Sequence, residues 1–149
     1  MSQRQEVRFK VFNTTNSNIA FTAILPYNVI AFNEGGSYDT TNYEYTIPVS
    51  GIYLIGYSYI KSDTNRLGTV QLILKRESNT RTITLTQSAE ATIKNRTLNN
   101  TLMYSFLTGD KIYLYTPYGL PKMNDSAYTT NDNINSNTYN SFWGIRLDY

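Results

Sequence analysis

Ile47-Pro48-Val49-Ser50-Gly51 is a turn that opens directly onto a strand with apolar or aromatic residues on both of its faces. Side chains alternate across a strand, and a half-buried strand alternates apolar with polar because one face meets water. Between Gly51 and Lys61, Tyr53, Ile55, Tyr57 and Tyr59 take one face, while Ile52, Leu54 and Ile60 take the other. Only Gly56 and Ser58 interrupt the second set, and both are small. A strand of this kind requires cover on both sides. One side is met by the core of its own domain, and a neighbouring subunit is the simplest cover for the other. The feature points to a β-domain built to assemble.

With 149 residues the chain has the length of one domain, divided here into an N-terminal arm and first strand (1–12) and a globular domain (13–149). That length buries a core without disulfides, and the chain has no cysteine. No run approaches the ~18 apolar residues of a membrane span. Met1-Ser2-Gln3-Arg4-Gln5-Glu6 has no apolar core and is not a secretory signal. The chain therefore reads as made in a cytosol, as phage and virion proteins are, or as an excised domain.

Charge and chemistry exclude several functions. The formal net charge is +2 and the basic residues are dispersed, whereas nucleic-acid binding needs a clustered basic face. Lys75-Arg76 with Arg81 is the nearest approach to one, and it reads as the solvated ends of two strands. There is no histidine, so Ser-His-Asp and Cys-His nucleophiles are ruled out. Without His and Cys only hard oxygen ligands are left for a metal. The eleven acids form no identifiable catalytic pair, and the chain reads as a non-enzyme. Tyrosine occurs fourteen times, an excess that suits strands and exposed recognition surfaces.

No stretch holds a helical apolar period, and short β-rich runs alternate with turn clusters. The predicted strands are 7–12, 19–25, 28–33, 43–47, 51–61, 69–76, 80–87, 96–107, 111–117 and 141–148. Asn33-Glu34-Gly35-Gly36-Ser37, Ser62-Asp63-Thr64-Asn65, Glu77-Ser78-Asn79 and Thr108-Gly109-Asp110 supply the turns. Val70, Leu72 and Leu74 oppose Gln71, Ile73 and Lys75, so that strand and its neighbour predict a sheet with one wet face. The expected fold is an all-β, two-sheet antiparallel jelly-roll sandwich of about ten strands. Residues 124–140 break the pattern with a long run of Asn, Asp, Ser, Thr and Tyr, and a connection of that length is functional or disordered.

Landmarks in a fixed order carry a family resemblance. Phe21-Thr22-Ala23, Ile30-Ala31-Phe32-Asn33, Tyr38-Asp39 and the run from Tyr45 to Tyr53 resemble, in order and spacing, the globular head of the C1q/TNF-like superfamily. Leu107-Thr108-Gly109-Asp110-Lys111-Ile112 is similar to its Gly-Asp turn, and Phe142-Trp143-Gly144-Ile145-Arg146-Leu147 to its closing Phe-x-Gly strand. The likeness extends over residues 19–148. It implies a ten-stranded jelly roll that assembles as a homotrimer and recognises a ligand at the tip of a stalk. The chain departs from the pattern in lacking Cys, lacking a Gly-X-Y stalk, and carrying the Asn-rich 124–140 segment.

The resemblance and the residues together select two groups of candidates. Ile52, Tyr53, Leu54, Tyr57, Trp143 and Ile145 belong to the core or the trimer interface. Trp143 has a competing use as a sugar-stacking surface, and Gly144 reads as a site of close backbone packing. Tyr128, Asn131, Asp132, Asn135 and Tyr139 are the loop candidates for a glycan or protein ligand. Asp39, Asp110 and Asp132 are the carboxylates a calcium ion would use, because some family members carry calcium. The plainer reading of Asp110 is a hydrogen bond to backbone two residues on. The run 131–137 alternates like a calcium loop but lacks the central Gly and bidentate Glu of an EF-hand. Otherwise no cofactor is expected. The function read from the sequence is a non-catalytic trimeric recognition or adhesion head on a virion, phage, spore or extracellular fibre. The alternative is a structural trimerisation cap or decoration domain with no ligand.

Overall fold

The computed structural model of the chain describes residues 6–13, 22–60, 68–76, 80–90, 97–117 and 140–147. Among them there is no helix, and hence none long and apolar enough to cross a membrane. The described residues form eleven strands: β1 (Arg8–Phe12), β2 (Ala23–Ile24), β3 (Val29–Glu34), β4 (Ser37–Asp39), β5 (Glu44–Thr46), β6 (Gly51–Ile60), β7 (Gly68–Arg76), β8 (Arg81–Glu90), β9 (Thr97–Phe106), β10 (Lys111–Thr116) and β11 (Ser141–Arg146). They make two antiparallel sheets. One has the order β3-β1-β11-β6-β9; the other runs β4-β5-β10-β7-β8, with β2 pairing β10 beyond the end of β5. β1 and β11 are neighbours inside the first sheet, and most sequence-adjacent strands are split between the sheets, the exceptions being β4–β5 and β7–β8. This is a jelly roll.

The strand predictions agree except in two places. Ser37–Asp39 forms β4, although Gly35-Gly36-Ser37 reads as a turn. Only three residues long, it has no alternation to detect, and it is held by pairing Tyr38 with Tyr45 of β5. The strand expected over 19–25 is formed only at Ala23–Ile24 among the described residues, and 19–21 lie outside them. The wet-faced pair is as expected: Val70, Leu72 and Leu74 are fully buried, and Gln71 and Lys75 turn outward. A bulge between Leu72 and Ile73 shifts the β7–β8 register.

Aromatic rings fill the space between the sheets. Phe9 stacks on Tyr45 with centroids 3.9 Å apart and meets Phe142 edge-on at 5.1 Å. Tyr53 meets Phe106 edge-on at 5.7 Å. Tyr27, Tyr38, Tyr45, Tyr53, Tyr57 and Tyr59 are all buried. Six of the ten described tyrosines thus belong to the core, five of them on the strands that the excess suits. A buried phenol needs a partner for its hydroxyl; for Tyr27, Tyr38, Tyr53 and Tyr57 the fold supplies backbone carbonyls, whereas the Tyr45 hydroxyl is buried without one. Tyr27 donates to Ser58 O, Tyr38 to Tyr27 O and Tyr53 to Val49 O, each at 2.7 Å. Tyr57 reaches Val70 O at 3.3 Å and the Ser88 hydroxyl at 3.0 Å, and Ser88 donates to Asn99 O of β9. Tyrosine here binds one sheet to the other as well as filling the space between them.

Candidate functional site

In β6 the two apolar faces of the strand separate. Tyr53, Ile55, Tyr57 and Tyr59 point into the core. Ile52, Leu54, Gly56 and Ser58 point away from the second sheet, onto the outer face of the first. Register aligns that face into rows. Glu34, Arg8, Ile145, Leu54 and Met103 stand side by side across β3, β1, β11, β6 and β9. The next row is Phe32, Lys10, Trp143, Gly56 and Thr101. In the single chain Met103 is 65% exposed, Ile52 43% and Phe32 41%. Trp143, Ile145 and Leu54 are half-buried.

Of the core-or-interface candidates, therefore, Tyr53 and Tyr57 lie in the core, and Ile52, Leu54, Trp143 and Ile145 lie together on this outer face. Phe32 and Met103 belong to the same face and were missed. Phe32 stands in an edge strand, and Met103 in a strand whose outward positions are otherwise polar. Trp143 lies across Gly56: a Cβ at 56 would come within 2.3 Å of its ring. At Gly144 a Cβ would meet Ile55 at 2.6 Å and Phe9 at 2.7 Å, which is the close packing expected of it. Arg8 forks onto Glu34 at 2.8 and 3.2 Å and lies over the Phe32 ring at 5.5 Å. That hydrogen bonding holds the Glu34 carboxyl below its ordinary range. A depression of about 480 Å³ opens here between Lys10, Phe32, Ser58 and Trp143.

At one end of the sandwich the Pro-Ser-Gly turn and the Gly-Asp turn are bolted together. Gly109 N–H donates to Ile47 O at 2.9 Å, and Ile47 N–H to Asp110 O at 2.8 Å. Ser50 and Thr108 exchange hydrogen bonds between backbone and hydroxyl at 2.8 and 2.9 Å. Gly109 has φ of 92°, a left-handed value that favours glycine. Asp110 is 2% exposed and is held on three sides. Arg76 donates to both its oxygens, at 3.0 and 2.7 Å, and Leu107 N–H donates at 2.8 Å. Two expectations are corrected. Asp110 binds the backbone three residues behind it rather than two ahead. Arg76 is turned inward into an ion pair, not solvated beside Lys75 and Arg81.

Asp39 caps a turn. Its Oδ1 accepts from Thr41 N–H at 2.7 Å and Asn42 N–H at 3.1 Å, which holds its carboxyl below the usual range. Asp39 and Asp110 are not brought together, and no group of three or more acidic residues gathers among the described residues. Asp132 lies outside them, as do the loop candidates Tyr128, Asn131, Asn135 and Tyr139. The strands that flank 118–139 do locate its attachment. β10 ends, and β11 begins, at the end of the sandwich opposite the two bolted turns, where Asn13 N–H donates to Asn140 O at 3.0 Å.

The solved structures that this chain resembles share its fold at low identity. Eiger TNF from S. frugiperda matches with a TM-score of 0.72 at 12% identity, covering 97% of this chain and 94% of that one. The globular domain of zebrafish complement 1qA matches at 0.67 and 13%, covering 96% and 98%. Murine APRIL matches at 0.72 and 10%, covering 95% and 99%. No curated protein matches the chain by sequence. The C1q domain model matches residues 8–141, from the start of β1 to the start of β11. By that match and by its two-sheet jelly roll, the chain belongs to the C1q domain family.

Proposed function

We propose that this domain is a non-catalytic, homotrimeric recognition head that presents a carbohydrate- or protein-binding surface at the tip of a stalk, fibre or particle. The observation that carries the reading is the apolar outer face of the five-stranded sheet, where Ile52, Phe32 and Met103 are exposed and Leu54, Trp143 and Ile145 half-buried in a single chain. Fully burying such a side chain is worth about 1.5–3 kcal/mol. Because Ile52 and Phe32 are more than half buried already and Met103 is 65% exposed, covering them adds about 1–2 kcal/mol apiece per copy. The family supports the same reading, being one of trimeric recognition heads. Three copies of a weak site then gain affinity through effective concentration. Tyr128, Asn131, Asp132, Asn135 and Tyr139 are the proposed ligand contacts of the 124–140 segment.

Light scattering at micromolar concentration tests the assembly. The chain is expected to run as a trimer and Met103→Asp as a folded monomer, because the carboxylate would be buried against a partner but is solvated in the single chain. A wild-type monomer refutes the reading. Ser replacement of 124–140, assayed on a glycan array, tests recognition. Loss of attachment with the trimer intact supports a binding head. An array-negative trimer, unaffected by the replacement, favours the structural cap, which uses the same assembly face and needs no ligand.

A further inference from the structure

The second sheet turns its solvent face away from the apolar assembly face, and that face carries a groove of its own. Direct register sets Tyr113 beside Ile73 beside Thr84 across β10, β7 and β8. The next row is Tyr115, Gln71 and Gln87. These rows border a depression of about 340 Å³ whose lining includes no charged side chain. Ile73, 6% exposed, is its floor; Tyr113 and Tyr115 are half-buried along it, and Thr82 and Thr84 are exposed opposite them. Gln71 donates its amide to Gln87 at 2.7 Å, an amide pair that carries both donors and acceptors. Charge stays at one end, where Lys111 stands opposite Lys75 and pairs with Glu44 at 3.6 Å.

We propose that this groove is a lateral binding site for a neutral oligosaccharide, one per chain. A sugar presents apolar C–H faces and a rim of hydroxyls. The groove presents two tyrosine rings, which give rigid amphipathic contact area, and a border of amides and hydroxyls suited to neutral donors and acceptors. An extended peptide would need an unpaired sheet edge to add a strand. Here β7 is paired on both sides, by β10 and by β8, so recognition falls to side chains. The lack of charge in the lining disfavours a sialylated or sulfated glycan. The inference rests on the recognition-head reading for its class of ligand, but on neither the trimer nor the 124–140 segment for its site.

Titration calorimetry of the full chain with chitotetraose, mannotetraose and maltotetraose tests it. Binding of one of these is expected, weakened about tenfold or more by Tyr113→Ala and by Thr84→Lys. Thr84 is exposed, so Thr84→Lys keeps the fold, and an unchanged melting temperature verifies it. The per-chain affinity is expected to survive both in the Met103→Asp monomer and after Ser replacement of 124–140, which separates failure of the groove from failure of the assembly or of the loop. The proposal is overturned if none of the three sugars binds or if both groove variants bind normally. Binding confined to acidic oligosaccharides or to a proline-rich peptide also overturns it.

Discussion

Asp110 offers a sharp test of how this fold is held. Its carboxylate is almost fully buried, yet it is satisfied by a forked Arg76 and by Leu107 N–H. Asp110→Ala removes all three acceptor contacts and leaves the Arg76 guanidinium facing a small cavity. Breaking a fully buried pair by deleting one partner costs about 3–5 kcal/mol. Arg76 keeps 21% of its side-chain surface exposed, so water can recover part of that, and about 2 kcal/mol is the fair share. Leu107 N–H loses its acceptor inside the turn, which adds about 1 kcal/mol. The total is about 3 kcal/mol, a large part of the ~5–15 kcal/mol by which a domain is stable. Asp110→Asn keeps the shape and one acceptor oxygen, so its loss should be about half as large. Urea unfolding followed by circular dichroism, at fixed protein concentration because assembly shifts apparent stability, reads both. A loss under ~0.5 kcal/mol for Asp110→Ala, typical of a surface change, would refute the account of this carboxylate as a structural anchor.

Two glycines separate core from outer face. Gly144→Ala should destabilise by about 1–3 kcal/mol, since the methyl meets Phe9 and Ile55, neither of which can leave the core. Gly56→Ala meets the Trp143 ring, which has the open face to swing into. Its signature is then a red shift in the fluorescence of the sole tryptophan, and unchanged emission would disprove the packing of Trp143 over Gly56. Alkaline pH should unfold the domain. Burial holds the phenols of Tyr27, Tyr38, Tyr45, Tyr57 and Tyr59 above the ordinary value. Raised folded-state values mean that the stability is fully present below the unfolded-state value of about 10 and is lost as pH climbs above it. The loss approaches about 1.4 kcal/mol per pH unit for each fully buried phenol. Tyrosinate absorbance should therefore appear in two stages, exposed groups first and buried ones together with unfolding; a single ordinary transition would contradict the burial.

The strands were legible because alternation and turn chemistry are local. The run from Gly51 to Lys61 shows period two on both faces, and Val70, Leu72 and Leu74 oppose a set that is polar at Gln71 and Lys75, so each reads without its neighbours. The Gly-Asp turn was legible as a turn but not as a lock. Nothing in the sequence spacing ties Arg76 to Asp110 across 34 residues or Ser50 to Thr108 across 58, and only the folded register brings them together. The buried tyrosines are a case of the same kind. A phenol looks suited to a wet surface until a backbone carbonyl is found within the core to accept from it, as Ser58 O does for Tyr27.

The outer face shows why the two-faced strand has to be read together with its neighbours. Taken alone, β6 has a gap in its outward set at Gly56. The gap is filled from the side: Trp143 stands directly opposite on β11 and folds its ring into the space where a Cβ would be. A larger residue at 56 would push the indole outward and break the apolar surface that runs from Phe32 to Met103. Glycine at 56 and tryptophan at 143 are therefore one packing unit, and the smallness of the first makes the apolar face continuous. The same reasoning explains Arg8, whose fork onto Glu34 and position over Phe32 occupy a cation beside this surface without leaving it an isolated charge. A face that is apolar across β11, β6 and β9, with Lys10 and the Arg8–Glu34 pair confined to its β1–β3 side, is organised as an interface is. On the proposed reading its complement is a second copy of the same chain, which leaves the outer face of the second sheet free for ligand.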